Sequence, residues 1–145
     1  MIKFKTMFVV VVLGIPIPVS AQEPLNRSIA PYIGDTSEVI ENKCHLSDGT
    51  VVLGSGDIDA NWLHCTQGIK SLFSVHFTRN RADHVIRYVE GADLAAYHRL
   101  FSARWGPPSV ATLVGTVYSW RVSQYIVLDL EGYDGGCKLT LMSLR

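Results

Sequence analysis

The chain has 145 residues, 48% of them apolar and 18% charged, and its 13 basic and 13 acidic side chains balance to zero net charge. That length bounds the chain to about one domain, and so apolar a composition excludes a wholly disordered chain. Nothing in that charge balance invites a nucleic acid, whose backbone demands clustered Lys and Arg.

The first element is an address. Lys3 and Lys5 precede an apolar run from Met7 to Ile17, well short of the roughly 20 residues a membrane-spanning helix needs. Gly14, Pro16 and Pro18 weaken the helix where a span would continue, and Val19-Ser20-Ala21 offers small residues to a signal peptidase. This order predicts a signal peptide over residues 1–21, with no transmembrane segment left after cleavage. Export to the periplasm or the extracellular space follows. Two lysines and no acid leave with the peptide, so residues 22–145 carry a net charge of −2.

Residues 22–34 hold two prolines and an Asn26-Arg27-Ser28 sequon, and read as a flexible leader. Residues 35–145 form a single α+β domain. Asp35 and Glu38 have capping-box spacing before Val39 and Ile40, which predicts a short N-terminal helix. From Cys44 the period falls to two: "CHL", "NWLHC", "SLFSVHF" and "VIRYV" are separated by turn residues, among them Asp48-Gly49 and Gly54-Ser55-Gly56. The main helix follows, at about residues 93–105. Asp93 caps it, Leu94, Tyr97, Phe101 and Trp105 form its apolar stripe, and Gly106-Pro107-Pro108 stops it. Then "TVYSWRV", "QYIVLDL" and "CKLTLMSL" alternate again. The prediction is an antiparallel sheet of about six to seven strands with the main helix packed on one face. Helix-then-strands occurs twice in outline, without a convincing internal repeat.

Exported cysteines pair, and the midpoint between Cys44 and Cys65 falls on the Gly54–Asp57 turn. A hairpin centred there sets them opposite each other and predicts a Cys44–Cys65 disulfide, with pairings to Cys137 left open. The same register turns His45 and His64 to the opposite face, and His76 joins them by alternation. Three imidazoles on one sheet face are candidate zinc or copper ligands, or plain surface histidines. Trp62 shares that face and, with His64, is a candidate binding residue. Tyr118, Trp120 and Tyr125 are further aromatic candidates, each better suited to core or sheet-pair packing. Arg79 and Arg81, with Arg87 nearby, form the one basic cluster, a solvated turn or a site for an acidic ligand.

Several motifs fail. Asp57, Asp59 and Asn61 begin like a calcium loop, but Trp62 and Gly68 stand where the turn Gly and the bidentate Glu belong. No Gly-x-Ser-x-Gly or His-Glu-x-x-His occurs. Asp83 and His84, as strand neighbours, are expected to diverge, and Cys137 sits in an apolar alternating strand that suits an inert thiol. No catalytic residue is assigned. The sequence is read as an exported non-catalytic binding protein (an inhibitor, immunity-type partner or envelope assembly accessory) with a protein partner outside the cytosol and no cofactor. A small secreted hydrolase and a histidine-based zinc or copper protein are the alternatives.

Overall fold

A computed structural model describes residues 30–54, 61–133 and 135–145. The expected signal peptide, most of the expected leader, and Asp57 and Asp59 of the failed calcium loop lie outside the described residues. Residues 30–34, the end of the stretch read as leader, pack against the domain. Ala30 is buried, and the Gly34 amide donates to the Ala82 carbonyl at 2.7 Å.

Helix α1 (Ser37–Leu46) is capped by Thr36, whose side chain accepts from the Val39 amide. The expected cap, Asp35, accepts instead from the Tyr32 amide at 3.0 Å and the Lys43 ammonium at 2.7 Å. The helix buries Ile40, Lys43 and Cys44, at the spacings of three and four that mark one helical face. This corrects the expectation of a strand beginning at Cys44: Cys44, His45 and Leu46 form the last turn of α1. Asp48, at φ 58°, helps turn the chain from α1 into the sheet.

The strands are β1 (Thr50–Leu53), β2 (Trp62–Gln67), β3 (Lys70–Thr78) and β4 (Arg81–Glu90). Helix α2 (Leu94–Trp105) comes next, then β5 (Ser109–Ala111), β6 (Val117–Arg121), β7 (Ile126–Tyr133) and β8 (Gly136–Ser143). Asp93 caps α2 as expected, accepting from the Ala95 amide, and Gly106 ends it at φ 86°. Arg79 and Asn80, both at positive φ, form a two-residue turn between β3 and β4.

Among the described residues eight strands join one antiparallel sheet in the order β1-β2-β3-β4-β8-β7-β6-β5. The expected count of six to seven is therefore too low. β1 stands in for the misread Cys44 segment, and the three-residue β5 adds a strand to the second half. Each helix leads into a four-stranded meander, and the two meanders meet through their last strands, β4 and β8. Strand order is thus two-fold symmetric about the β4–β8 seam.

One face of this sheet carries the core. Register sets Leu63, Val75, Val85, Leu141, Leu128 and Trp120 in a single row across six strands, every one buried. Ile40 and Cys44 of α1, with Tyr97 and Phe101 of α2, complete the cluster. A disulfide joins Cys44 to Cys65, with 5.7 Å between their Cα atoms. The expected pair is therefore present, but it ties helix α1 to β2 rather than strand to strand. A side chain at Gly49 would strike both sulfurs, which is why the turn into β1 holds a glycine there. Arg87 also points to the core side, in register with Phe73 and Leu139. Burial pulls its guanidinium down from the usual value and pushes the nearby Tyr97 phenol up to about 12.

Candidate functional site

The opposite face of the sheet lacks the buried apolar row that the helices cover. There Trp62, His76, His84, Met142 and Val127 run in register from β2 to β7, each only half-buried. The adjoining row reads His64, Ser74, Ile86, Thr140 and Asp129. Period-two alternation puts Trp62, His64 and His76 on this face, as the sequence predicts.

Trp62 is the centre of the group. Its ring stacks parallel to His64 at 6.1 Å, meets His76 edge-on at 5.2 Å and lies 5.5 Å from His84. His64 Nδ1 bonds the Ser74 hydroxyl at 2.7 Å. His76 Nδ1 lies 2.7 Å from one Asp83 oxygen, and the Thr78 hydroxyl donates to the other at 2.5 Å.

Asp83 reaches this face through a β-bulge. The register pairs Phe77 with Ala82 and then His76 with His84, which leaves Asp83 as the extra residue of β4. Bulges of this kind re-aim a side chain. The expected divergence of Asp83 and His84 is thereby overturned, since both serve the Trp62 side. Counting outward from the Arg79-Asn80 turn already sets Asp83 opposite His76, so a signal for that pair is present in the sequence. The arrival of His84 depends on the bulge.

Electrostatics sharpen the arrangement. Burial pushes the Asp83 carboxyl upward, but the hydrogen bonds from Thr78 and His76 and the attraction of His76 outweigh it and hold the group below the usual carboxylate range. An ionised carboxylate only accepts, so the His76 proton sits on Nδ1, and Nε2 carries the lone pair while the ring is neutral. Burial lowers the His84 pKa; the negative charges of Asp83 and Asp129 oppose the shift and the positive charges of His76 and Lys138 add to it, and the net effect favours the neutral ring. The group is an aromatic, hydrogen-bonding platform in which the ionised Asp83 orients the His76 ring.

The other predicted residues lie elsewhere. His45 is exposed on α1 and does not share the sheet face with His64 and His76, because Cys44 and His45 are helical. Among the described residues no three His, Cys, Asp or Glu side chains are grouped to hold a metal ion. Arg79 and Arg81 sit at the β3–β4 turn, where Arg81 donates to the Gly34 carbonyl at 3.2 Å, while Arg87 is turned to the core. Tyr118 and Trp120 lie on the helix side, and the Arg145 guanidinium covers the Tyr125 ring at 4.1 Å. Cys137 is a buried free thiol, held protonated by burial and the nearby Asp93, which disfavours it as a nucleophile. Among the described residues no helix is long and apolar enough to cross a membrane.

No family model, no curated protein and no solved structure matches the chain.

Proposed function

We propose that the chain is an exported, non-catalytic binding protein, of the inhibitor, immunity-type or envelope-accessory kind, that presents the sheet face opposite α1 and α2 to a protein partner. The observation that carries this reading is the half-buried indole of Trp62 ringed by three imidazoles. Tryptophan is favoured at energetic hot spots, and a rigid aromatic centre flanked by hydrogen-bonding groups suits a protein contact. Residues 1–21 and the Cys44–Cys65 disulfide support placing that contact in the periplasm or outside the cell.

The test compares the oxidised protein with its Trp62→Ala variant, both immobilised and exposed to envelope and culture extracts. A stoichiometric protein partner that the parent retains, and that Trp62→Ala binds at least about 30-fold more weakly, supports the proposal. Equal capture by the two proteins, or no protein captured by either, refutes it.

A second reading, a small secreted hydrolase, draws on the Asp83–His76 pair. A histidine oriented by a carboxylate can serve as general base to a water. Hydrolytic turnover abolished by His76→Ala would select this reading over the first.

A further inference from the structure

The turns at one end of the sheet expose apolar side chains that neither helix covers. Register places the β2–β3 turn, the β7–β8 turn and the β5–β6 loop at this same end. Relative exposures there reach 105% at Ile69, 97% at Leu113 and 101% at Val114. The Leu113–Val114 tip projects from the loop joining the edge strand β5 to β6, and the stretch 111–116 contains no charged residue.

Beside it a groove of about 460 Å³ runs across the end of the sheet from the β2–β3 turn to the β7–β8 turn, lined by Ile69, Leu72, Tyr88, Glu90, Tyr133 and Gly135, with its far wall on β3. Tyr88 and Tyr133 meet edge-to-face at 5.9 Å along it. Its two charges, Lys70 and Glu90, are paired at 3.2 Å, so an apolar guest would strand no lone ion. One end of one chain thus holds an uncharged apolar projection and an apolar recess. Four strand spacings, about 19 Å, separate β3 from β6. That separation fits inside one interface of about 800 Å² per partner.

We propose that the chain pairs with a second copy of itself through this end, each copy's Leu113–Val114 tip seated in the other's Ile69–Tyr133 groove. A two-fold axis between the tip and the groove makes both contacts at once, because in a two-fold interface residue i meets residue j and j meets i. Another protein would have to supply a matching recess and projection of its own, whereas a second copy already has both. The end is also no surface for anionic lipid, since Lys70 and Lys138 are each matched by a glutamate. Leu72, Tyr88 and Tyr133 share the sheet face of Trp62, but Trp62 opens β2 at the far end of that face, so pairing leaves the cluster of Trp62, His76 and His84 open on both copies.

Sedimentation equilibrium of the oxidised protein tests the pairing. The parent is expected to be a reversible dimer. Leu113→Asp with Val114→Asp, and separately Ile69→Asp, are expected to weaken it at least about 30-fold. Trp62→Ala is expected to leave it unchanged. All three apolar positions are fully exposed, and circular dichroism and Tm verify that the variants keep the fold. A parent that stays monomeric to about half-millimolar concentration, as expected below the affinity of a specific pair, overturns the proposal. So does a dimer that the tip and groove substitutions leave intact.

Discussion

Asp83 and His84 are neighbours on β4, and folding lowers the pKa of both, with opposite consequences for their charge. The fold keeps Asp83 ionised and His84 neutral. For His84, a folded pKa below the ordinary value of 6.5 means that the unfolded chain binds the proton first. Its contribution to stability is complete above pH 6.5 and declines as pH falls through the interval beneath it. For Asp83 the contribution is present above the ordinary carboxylate value and is lost only in stronger acid, as pH falls through the lowered folded pKa. Two acid-sensitive steps in different pH ranges therefore arise from adjacent residues. His84→Gln is expected to remove most of the first step and leave the second in place. Urea midpoints at about pH 7.5 and about pH 5.5 bracket the imidazole range and measure it. A midpoint difference as large in the variant as in the parent would show that His84 does not carry the step.

Helix α2 was legible in the sequence from end to end, because cap, stripe and stop agree. Asp93, the series Leu94–Tyr97–Phe101–Trp105 and Gly106-Pro107-Pro108 point to one element, and the structure adds how its end is held. The Trp120 indole N–H donates to the Gly106 carbonyl at 2.9 Å, and its ring meets Phe101 edge-on at 5.4 Å. Trp120→Phe keeps most of the buried apolar area but leaves that carbonyl without its donor. A loss of about 1–2 kcal/mol is expected in urea unfolding; no loss would mean that water reaches the carbonyl. Elements lacking such agreement were misread. "CHL" is three residues long, too short to separate period two from the last turn of a helix, although Ile40 and Cys44 already stand four apart. Val51-Val52-Leu53 does not alternate, and β5 has three residues, so neither strand left a periodic trace. The site divides in the same way. Alternation gives Trp62, His64 and His76. The false strand at Cys44 brought in His45, and the bulge at Asp83 concealed His84 because a one-residue irregularity reverses which side follows.

At the scale of the whole molecule, the two helix-plus-meander halves share one core, and the β4–β8 seam lies inside it. Val85, Val89, Cys137, Leu139 and Leu141 are all buried along that seam. Leu139 stands in register with Arg87 on one side and Leu130 on the other, so its side chain packs between the halves. A core divided there would open half by half, whereas a continuous core opens at once. The disulfide bears on the distinction, because Cys44 and Cys65 both belong to the first half and do not cross the seam. Cooperation between the halves must then come from packing and from the β4–β8 hydrogen bonds. Leu139→Ala is therefore expected to cost about 2–5 kcal/mol while preserving a single transition. The probes are tryptophan fluorescence, with Trp62 in one half and Trp105 and Trp120 in the other, and far-ultraviolet circular dichroism across both. Coincident curves in parent and variant support the shared core. A variant that splits into two transitions, the second half melting ahead of the disulfide-tied first, would mean that the seam is a joint between two cores.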